Sequence, residues 1–105
     1  MEVREYVAEA GRSPFREWLL GLKDSKIRNR VVARLLCLAD GSRGDWKPIG
    51  SGLFELRIHI GPGYRVYCGQ DGDRLILVLA GGDKRSQRRD IKHAHDYWKE
   101  YKAHR

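Results

Sequence analysis

From Leu53 to Ile91 the chain reads as three strands joined by two tight turns, then a basic segment that opens a helix. No other stretch limits the fold as much. Phe54, Leu56, Ile58 and Ile60 alternate strictly with Leu53, Glu55, Arg57 and His59. A period of two places these sets on opposite faces of a strand, one packed on helices and the other polar. Gly61-Pro62-Gly63 turns the chain back. Tyr64 to Cys68 forms the next strand, with Arg65 and Tyr67 on one face and Tyr64, Val66 and Cys68 on the other. Asp71-Gly72 predicts a type I′ hairpin, since both residue types tolerate positive φ. Leu75 to Ala80 is almost wholly apolar, as a central strand covered on both faces must be. Such a strand needs two neighbours. The preceding strand is one, and the N-terminal segment is the natural candidate for the other. Gly81-Gly82-Asp83 ends the sheet.

The rest of the chain supplies cover. Glu2 to Val7 alternates and predicts a short strand. Ser13-Pro14 is a helix start, because serine accepts from free amides and proline at the first position loses no needed donor. Phe15, Trp18, Leu19 and Leu22 follow at helical spacing, which makes Trp18 a core residue. Asp24 or Ser25 caps a second helix with a stripe of Ile27, Val31, Leu35 and Leu38, ended by Gly41. Its cations, Lys26, Arg28, Arg30 and Arg34, are either a solvated face or an extension of a nucleic-acid surface. The two helices are close enough in sequence to form a hairpin. Gly41 to Gly52 reads as a loop, pinned to the body by Trp46 and Pro48 unless the indole stacks on a base. Ser86 is the expected cap of a last helix docking through Ile91, Ala94 or His95, Trp98 and Tyr101.

At 105 residues the chain has room for one domain and one core, spanning 1–105. It opens without the basic-then-apolar order of a signal peptide, and its longest apolar run is too short to span a bilayer, so a cytoplasmic protein with no membrane partner is expected. Cys37 and Cys68 stand apart and read as small core residues. His93 and His95 point in different directions on a helix, with no acid or thiol cluster beside them, so neither a metal nor another cofactor is expected. The formal net charge is +7. It is concentrated: Lys84 to Arg105 holds eight lysines and arginines against three acids. A cluster of this kind suits a polyanion, whose counterions are released on binding.

Arg57 and His59 share the polar face of one strand, Arg65 lies across a short turn, and Lys84 and Arg85 follow the third strand. Three or more cations and an imidazole thus converge on one face. Arginine offers phosphate a planar fork of donors, and fixed cations stabilise the charge that grows on phosphorus during attack. RNA brings its own nucleophile, the 2′-hydroxyl. A protein that aligns it and manages two protons cleaves RNA without a metal. His59 is the leading acid/base candidate, since an ordinary histidine titrates near about 6.5; Glu55 and Tyr67 are weaker ones. Each residue alone also has an ordinary surface role, as cross-strand ion pairs or a helix start.

The runs ELRIHIGPGYRVYC and LAGGDKRSQRRDI, with PFREWLLGLKD and WKPIGSGLFELRI before them, resemble the RelE/ParE superfamily of toxins, in the phage-derived addiction-module killer branch close to HigB. The resemblance covers nearly the whole chain. It implies an α+β, RelE-like fold: an N-terminal strand, a helical hairpin, an antiparallel three-strand meander joined by the first strand, and a C-terminal helix. It implies a toxin of a type II toxin-antitoxin system that cleaves mRNA on the ribosome, held in check by a helix-turn-helix antitoxin. By position, Arg57 and Arg65 match basic strand residues of the RelE-type site, and Lys84 and Arg85 match the basic pair after its last strand. Glu55 stands where RelE has another lysine, and no match for the C-terminal tyrosine of RelE occurs around Asp90 and Ile91. The expected catalytic set is therefore Arg57, His59, Arg65 and Lys84, with Arg85, Arg88, Arg89 and Arg34 binding RNA phosphates. ParE relatives share the fold but poison DNA gyrase, which is the alternative activity.

Overall fold

The computed structural model describes residues 1–105. The elements run β1 (Glu2–Glu5), α1 (Pro14–Gly21), α2 (Ser25–Ala39), β2 (Trp46–Gly50), β3 (Leu53–Ile58), β4 (Tyr64–Asp71), β5 (Leu75–Asp83), a 3-10 turn (Lys84–Ser86) and α3 (Gln87–His104). One sheet has the order β1-β5-β4-β3-β2. β1 joins β5 in parallel, and every other pair is antiparallel. The apolar Leu75–Ala80 segment thus lies between β4 and β1, as its composition demanded. The expected α+β, RelE-like architecture is present, with one strand more than the meander and β1 require.

That extra strand is β2, inside the segment read as a loop. Pro48 lacks an N–H and cannot sit between two strands, but β2 is the sheet edge and pairs with β3 alone. The register shifts between Pro48 and Gly50, and Ser51 (φ 57°) and Gly52 (φ 83°) turn the chain into β3. Gly- and Pro-rich composition concealed a strand that needs few ladder bonds. The β4–β5 turn also differs from expectation. It has three residues, Gly72–Arg74, and of Asp71 and Gly72 only the glycine has positive φ, so it is not a type I′ turn.

Helix starts follow the chain's local chemistry. Ser13 Oγ accepts from Arg16 N at 3.1 Å, and Asp24 Oδ1 accepts from Lys26 N at 2.9 Å. Ser86 makes no side-chain cap bond to α3. Asp83 caps the 3-10 turn instead, accepting from Arg85 N (2.8 Å) and Ser86 N (3.3 Å). Ser86 Oγ is then free to donate to Asp90 at 2.5 Å.

The sheet divides two apolar clusters. Phe15 and Leu19 of α1 and Val31 and Leu38 of α2 pack on Phe54, Leu56, Ile58, Val66, Cys68, Ile76 and Val78. On the other face, Ala94 and Trp98 of α3 pack on Leu53, Tyr67, Leu77, Leu79 and Ala80. The face expected to be polar is therefore covered over much of its length, and Leu53 and Glu55 are fully buried. Gly69 makes this possible, because a Cβ there would stand 2.6 Å from the Trp98 ring. A β-bulge between Tyr67 and Cys68 shifts the phase of β5, so that Leu79 and Ala80 both join the α3 cluster. No helix is long and apolar enough to cross a membrane.

Candidate functional site

The α3 side of the sheet carries two cross-strand rows at the helix start. Lys47, Glu55, Tyr67 and Ala80 are register partners across β2, β3, β4 and β5. The next row is Arg57, Arg65 and Gly82. The two arginines face each other, as the alternation of β3 and β4 required, and Glu55 is buried between them. Its carboxylate is 3.2 Å from Arg65 Nε and 3.7 Å from Arg57 Nη2, and it accepts from Gln87 Nε2 of α3 at 3.3 Å.

This cluster is tightly placed but not satisfied. The Nε atoms of Arg57 and Arg65 and the Tyr67 hydroxyl are buried without a hydrogen-bond partner. Arg65 Nε is within ion-pair distance of Glu55, yet the angle is wrong for a hydrogen bond. Burial, reinforced by Glu55 and Asp90, pushes the Tyr67 phenol far above its ordinary range. At neutral pH it is a donor and not a base. The arginine side chains keep part of their surface in solvent, Arg57 at 33% and Arg65 at 15%, whereas Glu55 keeps 2%. The face offered outward is thus guanidinium, with the carboxylate behind it.

His59 follows the end of β3 and is mostly exposed. Its Nε2 is paired with Asp45 Oδ2, and that bond, ahead of the weaker pull of His59, Arg57 and Arg34 charges, holds the Asp45 carboxyl below its usual range. With Asp45 ionised, the shared hydrogen is that of His59 Nε2, and in the neutral imidazole the remaining acceptor is Nδ1. His59 is not bonded to the arginine–glutamate cluster. The link is Asp45, whose carbonyl accepts from Arg57 N at 2.9 Å.

Arg34 is engaged elsewhere. Its terminal nitrogens donate to the carbonyls of Arg43 (2.6 Å) and Asp45 (2.9 Å), which straps the loop carrying Asp45 to α2. These bonds commit donors of both terminal nitrogens to backbone carbonyls, whereas the sequence predicts a phosphate partner for them. Lys84 is exposed at the end of β5, where its N–H donates to Gly63 O at 3.1 Å, two residues before Arg65. Arg85 pairs with Asp83 at 3.0 Å and is largely in solvent. Arg88 and Arg89 are exposed on the first turn of α3. Two contributors escaped the sequence reading. Lys47 lies beside Glu55 only because β2 is a strand, and Gln87 meets Glu55 only because α3 returns over the sheet. Alternation around Pro48 was the one available signal for Lys47.

Residues 17–99 match the protein family described as phage derived protein Gp49-like (DUF891). The chain belongs to this family. An uncharacterized protein of Haemophilus influenzae is 44% identical over 80 residues, covering 76% of this chain and 81% of that protein. The family match, residues 17–99, includes α2, all of β2 to β5 and most of α3, so both rows of the site in this Gp49-like chain lie inside it.

Proposed function

We propose that this Gp49-like protein is the toxin of a type II toxin-antitoxin pair, HigB-like in kind, and that it cleaves mRNA on the ribosome without a metal. The carrying observation is the Arg57–Arg65 pair, fastened from behind by Glu55 at the uncovered end of the α3 face. Two guanidinium groups held on rigid strands suit a phosphodiester. They need little reorganisation as charge builds on its oxygens. His59 Nδ1 takes the proton of the 2′-hydroxyl, whose oxygen attacks the adjacent phosphorus. The P–O5′ bond breaks, leaving a 2′,3′-cyclic phosphate, and the Lys84 ammonium supplies the proton for the departing 5′-oxygen. Asp45 orients the imidazole, and Arg34 holds Asp45. The partner implied by this biology is a helix-turn-helix antitoxin from the adjacent gene.

The test is a purified translation system with primer extension on the message. Cleavage within translated codons is expected from the parent protein. Arg65→Ala should lower it by about 10²–10³-fold, as loss of one donor to a transition-state oxyanion does, while circular dichroism stays that of a folded chain. Intact message with folded parent protein removes the nuclease reading.

One observation favours a second reading, inhibition of DNA gyrase by binding alone. Glu55 offsets half of the arginine charge, which a phosphate site does not need. Inhibited supercoiling with unharmed message would decide for that activity.

A further inference from the structure

We propose that the groove between α1 and the first two turns of α3 is a second binding track, fitted to the backbone of single-stranded RNA. It rests on the reading of RNA as substrate and extends the site away from the scissile phosphate. Arg85, Arg88, Arg89 and Lys92 line one side, Trp18 the other, and Gly81 and Gly82 lie between them.

The carboxylates within the groove are already committed. Asp83 caps the 3-10 turn and pairs with Arg85, and Asp90 is buried, accepting from Ser86 Oγ. Arg89 approaches Asp90 no closer than 3.8 Å. Arg88 and Lys92 have no carboxylate within ion-pair distance, so the charge facing solvent is positive and unanswered within the chain. They are also one helical turn apart, where like charges weaken a helix slightly. A bound polyanion removes that repulsion.

The groove also has an aromatic wall. A Cβ on Gly81 would overlap the Trp18 ring, and one on Gly82 would overlap Asp90 and Ser86. With both side chains absent, the indole lies directly on the strand backbone and remains partly exposed. The indole also packs on Phe15 and Tyr64, and cations for phosphates beside its exposed part suit an unpaired strand. Gly82 is the register partner of Arg65, so the groove opens beside the arginine pair. The track therefore starts one strand away from the proposed scissile phosphate.

The test is fluorescence anisotropy with a labelled 2′-O-methyl RNA of about twelve nucleotides, within the usual span of single-strand sites. The methyl groups remove the nucleophile, so binding is read without cleavage. The full chain is compared with the double variant Arg88→Gln, Lys92→Gln, whose sites are exposed and whose fold is checked by circular dichroism. Loss of two phosphate contacts should weaken binding about tenfold and reduce the salt slope by about 1.4 between about 50 and 200 mM salt. Unchanged affinity and slope overturn the proposal. So does a polyglutamate peptide that binds as tightly as the RNA with the same dependence on the two residues, since the groove is then a protein-docking surface. If message is never cut but the double variant still loses RNA affinity, the nuclease reading falls and the groove stands. If message is cut and the double variant binds like the parent, the groove alone falls.

Discussion

The two faces of the sheet are built on different terms. The face under α1 and α2 is apolar from Phe54 to Ile58 and from Val66 to Cys68, and two helices cover it. The face under α3 changes character along its length. Leu53, Tyr67, Leu77 and Leu79 are sealed by Ala94 and Trp98, but toward the start of α3 the same strands carry the buried Glu55 and the partly exposed Arg57 and Arg65. One helix covers what two cover opposite, and the buried polar atoms without partners belong to Tyr67, Arg57 and Arg65 on this face. The first face supplies stability, and the second places buried charge where a ligand can reach it.

The comparison breaks first at Phe54, 2% exposed on the apolar face. Phe54→Ala should cost about 3–5 kcal/mol in urea unfolding, since it leaves a cavity and removes the ring from Trp46 and Arg43. A loss below about 1 kcal/mol would mean that this face repacks freely. Tyr67→Phe tests the other face with the opposite sign. The hydroxyl is buried with no partner, so deleting it should leave stability unchanged or raise it by about 1 kcal/mol. A clear destabilisation would reveal a bond to the phenol in solution.

The smallest effect concerns how each face's helices are tied to strands. Glu5 accepts from Ser13 and Arg16 of the α1 start, and Asp71 accepts from Tyr101 and Arg105 at the α3 end. The Arg16 hydrogen bond lowers the Glu5 pKa, and the Tyr101 hydrogen bond lowers that of Asp71. A carboxyl lowered by folding adds stability that is complete above its unfolded value, about 4, and is lost as pH falls through the folded value. Melting temperatures of Glu5→Gln and Asp71→Asn should therefore lie below the parent at neutral pH and converge on it in acid. A gap that persists at pH about 2 would show that packing, not charge, holds these ties.

Much of the architecture was legible in the chain because it is written in local periodicity. Alternation placed Phe54, Leu56 and Ile58 on one face and faced Arg57 toward Arg65. Ser13-Pro14 and Asp24 marked helix starts. The unbroken apolar run of β5 called for two neighbours, and β1 is one of them. Where the reading failed, the deciding contacts were distant in sequence. Pro48 is excluded from a strand interior but not from an edge. Ser86 had a better partner in Asp90. Arg34 found carbonyls in a loop that lies beside it only after folding.

The amino-acid sequence by itself determined which residues share a face, because a strand's period of two and a helix's of 3.6 act over a few residues. It determined the cationic character of the strip and the excess charge of the last helix. The burial of Glu55 behind Arg57 and Arg65, the pairing of His59 with Asp45 and the groove between Trp18 and Lys92 came only with tertiary structure. Each depends on elements far apart in the chain meeting at a few ångströms, and no local pattern encodes that distance.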